Sequence, residues 1–315
     1  MLSILLVCWN NATATKRCLH SLAGAAPDGA HEVVLVDNGS TDGTTAMVRR
    51  DFPWVRVVQS GSNLGFAAGA NLAAAQAVGD MLLFLNNDAQ VLPGAIDALL
   101  DFARTRPEAG LWGGRTLRDD GTINPTESIA LPTLWGSICV GFGLSGALPG
   151  SRWFNPEGYG GWQRDTVRAV GALAGCFLLM PRDRFLSLGG FDERFFLYGE
   201  DVDLCIRARA AGARPCFTPR ATIRHTGSAS SRPEDMWTYL LSAKIELVRR
   251  YLGPVRGPLA AAAFVLGAGA RAALFSAGSA FRPHLGGKAH LWRTVWRRRA
   301  LWRAGAITRP LARSA

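Results

Sequence analysis

Several acidic and imidazole side chains combine residue type and position in ways that allow chemistry. Asp88 closes the segment Met81-Leu82-Leu83-Phe84-Leu85-Asn86-Asn87-Asp88, so a carboxylate follows directly on a buried apolar run. There it can offer oxygen to Mg2+ or Mn2+, and such a cation offsets charge on a departing diphosphate. Glu200-Asp201-Val202-Asp203 puts three carboxylates in four residues at a helix start, where the helix dipole and free amides favour negative charge. Capping explains one of them. Three, after the aromatic-rich stretch Phe191 to Tyr198, suggest a base for an attacking hydroxyl beside a wall suited to a sugar. Only modest basicity is required where deprotonation accompanies leaving-group departure. His225, in Ile223-Arg224-His225-Thr226-Gly227-Ser228, follows a short apolar segment, and neutral imidazole can complete a metal shell together with Asp88. Each feature also has a local explanation, since Asn and Asp favour turns and a lone histidine carries little metal specificity.

Asp37 is placed to accept a hydrogen bond from the imide N–H of uracil or thymine, or alternatively to cap a turn or helix. Gly39, Gly43, Gly65 and Gly69 suit turns and close packing, and neither a P-loop nor a G-x-G-x-x-G pattern follows the first apolar run. A dinucleotide-binding enzyme is therefore disfavoured.

The elements that must position these groups are legible from periodicity. Leu2–Val7, Glu32–Val36, Val55–Val58 and Met81–Leu85 read as strands, separated by helical patterns over 12–23, 42–51 and 66–78 whose lead-ins offer capping side chains. Strict alternation predicts a parallel sheet covered on both faces. Ligands bind such sheets at the carboxyl ends of the strands. Asn10, Asp37, Asn63 and Asn86-Asn87-Asp88 all fall at those ends, facing one cleft. Residues 118–166 are rich in Gly, Pro and Trp without a period, and suggest an irregular excursion that shapes a substrate pocket. A strand, a bend and a second strand are expected over Val167–Met180. A short helix over 182–188 follows, and another from Asp201 stops at Gly212.

With 315 residues, 48% hydrophobic and 19% charged, the chain can bury a sizeable core. The net charge of +11 is unevenly distributed: from Leu247 onward there are 13 Lys or Arg and no acid, whereas residues 1–246 carry a net charge of −2. This disfavours a nucleic-acid reading for the body and divides the chain into a catalytic domain at 1–246 and a basic helical extension at 247–315. Six scattered cysteines without a C-x-x-C pair read as reduced and structural. The opening apolar stretch is too short for a secretory signal, so a cytoplasmic location is expected. Pro258–Phe281 is apolar but interrupted by Arg271, and the longest uncharged stretch, Gly257–Ala270, is short of the roughly 20 residues a spanning helix needs. Trp292, Trp296 and Trp302 interleaved with arginines suit a headgroup layer. Residues 255–315 are thus expected to dock on an anionic membrane surface at the inner face. The alternative is an amphipathic helix packed on the catalytic domain with a solvated basic face; a nucleic-acid-binding tail is a third reading.

Taken in order, four segments resemble the family 2 glycosyltransferases with a GT-A fold, in particular the bacterial rhamnosyltransferase-like branch. They are Val36-Asp37-Asn38-Gly39-Ser40-Thr41-Asp42-Gly43, Asn63-Leu64-Gly65-Phe66-Ala67-Ala68-Gly69-Ala70-Asn71, Leu85-Asn86-Asn87-Asp88, and Gly189-Gly190-Phe191-Asp192-Glu193 running on through Leu204. The match covers roughly residues 2–230. The resemblance implies an α/β fold with a mostly parallel central sheet flanked by helices. It implies that Asn86-Asn87-Asp88 stands where the family often has Asp-x-Asp, leaving Asp88 and His225 as metal ligands. Asp201 would be the base and Glu200 its orienting partner, with Asn10, Asp37, Asn63, Asn87 and Asp88 on the nucleotide sugar. A single in-line displacement would invert the anomeric centre, so dTDP-beta-L-rhamnose would give an alpha-L-rhamnoside on a glycan or polyprenyl-diphosphate-linked acceptor. A UDP-sugar donor such as UDP-galactofuranose is the alternative. Beyond these stand an inactive nucleotide-binding or scaffold protein, marked by the lost carboxylate at Asn86, and a nucleotidyltransferase, whose usual phosphate loop is missing.

Overall fold

The computed structural model describes residues 1–225 and 232–311. Thr226, Gly227 and Ser228 of the histidine segment lie outside the described residues. In chain order the N-terminal elements are β1 (Leu2–Cys8), α1 (Ala12–Gly24), β2 (His31–Asp37), α2 (Thr44–Asp51), β3 (Val55–Gln59), α3 (Gly65–Gln76) and β4 (Met81–Leu85). Then follow β5 (Ala89–Val91), α4 (Ala95–Thr105), β6 (Trp112–Leu117), β7 (Ser128–Ile129), α5 (Leu134–Gly141) and α6 (Leu144–Ala147). The remainder comprises β8 (Arg168–Ala169), β9 (Ala172–Leu173), β10 (Phe177–Pro181), α7 (Arg182–Ser187), α8 (Glu200–Ala210), β11 (Cys216–His225), α9 (Pro233–Tyr251), α10 (Gly253–Phe281), α11 (Gly286–Arg297) and α12 (Arg299–Trp302).

By contact density the chain divides into two units. The first contains Met1–Ile129, Gln163–Glu193 and Glu200–Ser230, and the second Ala130–Trp162, Arg194–Gly199 and Ser231–Ala315. The expected boundary after residue 246 falls inside α9.

The first unit is an α/β sheet in the order β3-β2-β1-β4-β10-β6-β11-β5, with β8 beside β11. Its first four strands are parallel, as alternation with α1–α3 requires. β10 is an exception within the mostly parallel sheet that was expected, running antiparallel to both β4 and β6. No helical crossover leads into it, so the parallel constraint of a strand-helix-strand unit does not apply. Alternate residues of the central strands feed opposite faces: Ile4, Leu6, Leu35, Leu83 and Leu85 pack with Cys18, Leu19 and Leu99 from α1 and α4. Phe84 turns the other way, onto Phe185 and Phe191 at ring distances of 5.0 and 4.9 Å.

The glycine- and asparagine-bearing motifs brace the loop ahead of α8. Asn71 on α3 accepts from the Phe191 amide at 2.9 Å and donates to the Phe191 carbonyl at 2.9 Å. Gly190 has φ +72°, and a Cβ there would meet Asn71 Oδ1 at 2.6 Å, so both backbone and packing select glycine. Arg207 pairs with Asp203 at 2.7 Å and also donates to the carbonyls of Leu188 and Gly190. Asp203 is thereby spent on holding this loop.

The second unit is helical. α10 packs on α5, α9 and α11 around Leu241, Ile245, Phe264, Ala268, Trp292 and Trp302. Trp292 and Trp302 are buried and Trp296 packs against the same core, which corrects the expectation that these indoles occupy a headgroup layer. Their arginines are also partly engaged: Arg298 pairs with Asp235, and the Arg299 guanidinium lies 4.8 Å from the Trp296 ring centroid. Trp302 is fully enclosed, its indole N–H donating to the Val295 carbonyl at 2.8 Å. Trp302→Ala is expected to destabilise this unit by about 3–5 kcal/mol through the cavity it leaves, read as a fall in the denaturant midpoint.

Candidate active site

Strand register explains why distant residues meet in the first unit. Asn86-Asn87-Asp88 is the three-residue link from β4 to β5, and β5 pairs antiparallel with β11 so that Ala89 lies opposite His225. Asp88, one residue earlier, therefore sits beside the imidazole, with Oδ1 3.0 Å from His225 Nε2. Phe177 pairs with Leu85, and the Asn86 amide donates to the Cys176 carbonyl at 3.2 Å, which brings in the start of β10. β7 pairs with β9, and the Ala174 amide donates to the Glu127 carbonyl at 2.9 Å. Finally the Gly175 amide donates to Asp201 Oδ2 at 3.2 Å, drawing in the first turn of α8. Three successive residues, Ala174 to Cys176, thus tie Glu127, Asp201 and the Asn86 link together.

Asp88 and His225, expected as partners, are brought together. Asn86 Nδ2 also lies 3.1 Å from His225 Nε2, so two of the three link residues face the imidazole. Asn87 turns away: its Nδ2 donates to Thr15 Oγ1 on α1 at 2.9 Å. The donor types fit a divalent cation, which takes carboxylate oxygen and imidazole nitrogen, and the structure places Asp88 Oδ1 and His225 Nε2 in direct contact.

Glu127 was not singled out in the sequence. Its Oε2 accepts from the Cys176 thiol at 2.5 Å and its Oε1 from Asn124 Nδ2 at 2.7 Å. Oε1 is also 3.7 Å from His225 Nδ1, a buried nitrogen with no hydrogen-bond partner among the described residues. The buried Arg164 donates to the Pro125 and Ser128 carbonyls on either side of Glu127 and fixes its segment. Glu127, Cys176 and His225 form a cluster whose ligand atoms lie within 4.8 Å of one another. Burial, reinforced by the Glu127 charge, pushes the Cys176 thiol up to about 12, so it stays a donor. Cys176 is thus part of the site, while all six cysteines are free and buried as expected. For His225, burial alone favours the neutral ring, but the neighbouring Asp88, Cys176 and Glu127 side chains outweigh it and raise the pKa.

Asp201 is held by two amides, that of Gly175 and that of Val202 at 2.7 Å. Burial raises its pKa against those amides, and the Glu127 charge adds to the rise. Burial first, and then the Asp201 charge, hold Glu200 well above the usual carboxylate range. Its Oε2 is buried without a hydrogen-bond partner among the described residues. The two carboxyl groups are therefore unequal: Glu200 holds a proton more readily and Asp201 is fixed by donors suited to its anion. The expected aromatic wall is not formed by Phe191, Phe195 and Phe196, which are buried in packing.

At the other strand ends, Asn10 Oδ1 accepts from the Thr41 amide at 2.7 Å and ties the loop after β1 to the loop after β2. Asp37 is buried, accepting from the Ser40 amide at 3.0 Å and from the Thr45 hydroxyl. Asn63 Oδ1 accepts from the Gly65 amide at 3.0 Å at the start of α3. These contacts shape the loops, the local role that was open to each.

Residues 3–174 match the family described as Glycosyl transferase family 2. The chain is 34% identical over 278 residues to an N-acetylglucosaminyl-diphospho-decaprenol L-rhamnosyltransferase of Mycobacterium tuberculosis, spanning 82% of this chain and 88% of that protein. Among solved structures, a mannosyltransferase from Pyrobaculum calidifontis in complex with GDP-Man and Mn2+ superposes with a TM-score of 0.57 at 17% identity, covering 96% of this chain and 87% of that one. GalNAc-T7 with UDP, GalNAc and Mn2+ gives 0.55 at 15% identity, covering 79% and 47%.

Proposed function

The chain belongs to glycosyl transferase family 2, and from that premise we propose that it is an inverting, metal-dependent L-rhamnosyltransferase acting on a polyprenyl-diphosphate-linked glycan at the inner face of the cell membrane. The observation that carries the transfer chemistry is the Asp88–His225 pair at 3.0 Å, in a cluster that also includes Glu127 and Asp201. The choice of rhamnose and of a lipid-linked acceptor is supported by the 34% identity to the mycobacterial rhamnosyltransferase over most of both chains.

Asp88 Oδ1 and His225 Nε2 would hold Mg2+ or Mn2+, which supplies charge compensation for the departing nucleoside diphosphate. Glu127 positions the imidazole from behind: a carboxylate facing Nδ1 fixes the tautomer that leaves Nε2 free to ligate. Asp201 takes the proton of the acceptor hydroxyl as it attacks, its carboxylate held in place by the Gly175 and Val202 amides. Glu200, more readily protonated, is assigned to orienting the acceptor. Asn10, Asp37 and Asn63 shape the nucleoside end, and Asn87 fixes the link that carries Asp88.

Glu127→Gln keeps size but weakens the orienting interaction. It is expected to lower activity by about 10–100-fold at limiting Mn2+, with part of the loss recovered as the metal is raised. A Mn2+ titration of initial rates measures this.

A donor panel tests the proposal itself. With N-acetylglucosaminyl-diphospho-polyprenol as acceptor, dTDP-beta-L-rhamnose should release dTDP and yield a rhamnoside. Preferential turnover of UDP-galactofuranose would replace rhamnose as donor, pyrophosphate release would indicate nucleotidyl transfer, and binding without turnover would indicate an inactive member.

A further inference from the structure

α10 is apolar on both of its faces, although only one of them is covered. Phe264, Ala268 and Ala272 are buried in the second unit's core. On the opposite face Val255, Leu259, Leu266, Leu274 and Phe281 are 54% to 87% exposed. Their spacings of 4, 7, 8 and 7 residues keep them within a stripe about 100° wide on a helix of 3.6 residues per turn. The stripe runs about 39 Å at 1.5 Å per residue. Beyond Leu259 the other exposed positions of the helix are all alanines. Its one charge after Gly257, Arg271, turns inward onto Trp292 and donates to the Val140 carbonyl at 2.9 Å. The helix is long and apolar enough to cross a membrane, yet only 39% of its most apolar window is buried.

We propose that this stripe lies in the plane of an anionic bilayer, immersed to the depth of its leucines, and that it is the surface by which the protein reaches a lipid-linked acceptor. The assignment deepens the proposed function and rests on it for the acceptor. Charge selects lipid over a second copy of the chain: no acidic residue occurs from Leu247 to the end, and α11 and α12 expose Lys288, Arg293, Arg297 and Arg299. Two such surfaces would repel, whereas anionic headgroups complement them. An in-plane helix keeps its packing on α5, α9 and α11, while a spanning one would surrender it.

Flotation of the full chain with vesicles of phosphatidylcholine alone, or mixed with phosphatidylglycerol, tests this with the Leu259→Gln/Leu266→Gln/Leu274→Gln variant. All three positions are exposed, so the melting temperature should be unchanged. The wild type is expected to float with the mixed vesicles and to be extracted by carbonate. The variant should bind at least about tenfold more weakly while turning over a water-soluble short-chain acceptor normally. Equal flotation of variant and wild type, resistance to carbonate, or a lipid-free dimer that the variant dissolves would overturn the proposal. Absence of transfer by the wild type on the soluble acceptor would refute the function and leave the flotation result standing.

Discussion

Asp201→Asn is expected to lower turnover by at least about a hundredfold, the usual contribution of a positioned general base, while donor binding stays within about twofold. The asparagine is nearly isosteric, and its carbonyl oxygen can still accept from the Gly175 or Val202 amide that now holds the carboxylate. What disappears is the capacity to take the acceptor proton. Initial rates together with calorimetric titration of the nucleotide separate the two effects. Turnover falls as acidification protonates the base, burial of Asp201 moves that limb to higher pH than an ordinary carboxylate would give, and the substitution abolishes it. Undiminished turnover would move the base away from α8.

The second large effect is expected at the link between β4 and β5. Asp88→Ala removes the anionic oxygen beside His225, and activity should fall by more than about a hundredfold, beyond the range seen for groups that merely orient a ligand. Asn86→Ala removes a neutral amide 3.1 Å from the same nitrogen and should cost about tenfold or less, on the scale of one neutral hydrogen bond. Parallel Mn2+ titrations read the ranking, and the reverse order would contradict the proposed ligand set.

The first half of the fold was legible because its elements are local. β4 spans the expected residues, and β1, β2, β3 and α1 depart by a residue or so, because strand and helix periods are written directly in the spacing of apolar residues. The helix expected from residue 42 starts at Thr44, where Gly43 in a left-handed conformation and Asp42, which accepts from the Thr44 amide, set the turn. Asp88, Asp201 and His225 were legible as chemistry by residue type and order, and register then explains the contact between Asp88 and His225. Glu127 left no such signal. It sits in an aperiodic Gly- and Pro-rich stretch and is delivered by a two-residue strand pair and by Arg164, some 37 positions away. Asp203 did carry one, since an arginine four residues on is the spacing of a helical ion pair.

Aromatic residues were the least legible, because composition does not say which apolar surface a ring will cover. Phe191 joins Phe84 and Phe185 instead of lining a pocket, and Trp302 fills a core instead of facing headgroups. The tail's exposed apolar surface lies instead on α10, whose leucines are far less conspicuous in the sequence than the neighbouring tryptophans.

The central claim is one displacement at a single site, with Asp201 receiving the proton and Asp88 anchoring the metal. NMR assignment of the anomeric configuration of the product made from dTDP-beta-L-rhamnose tests it most directly. The account predicts an alpha-L-rhamnoside from the wild type, in step with dTDP release, and at least about a hundredfold less of it from Asp201→Asn in the same time. A beta-linked product, or an alpha-linked one formed equally well without the Asp201 carboxylate, would contradict it.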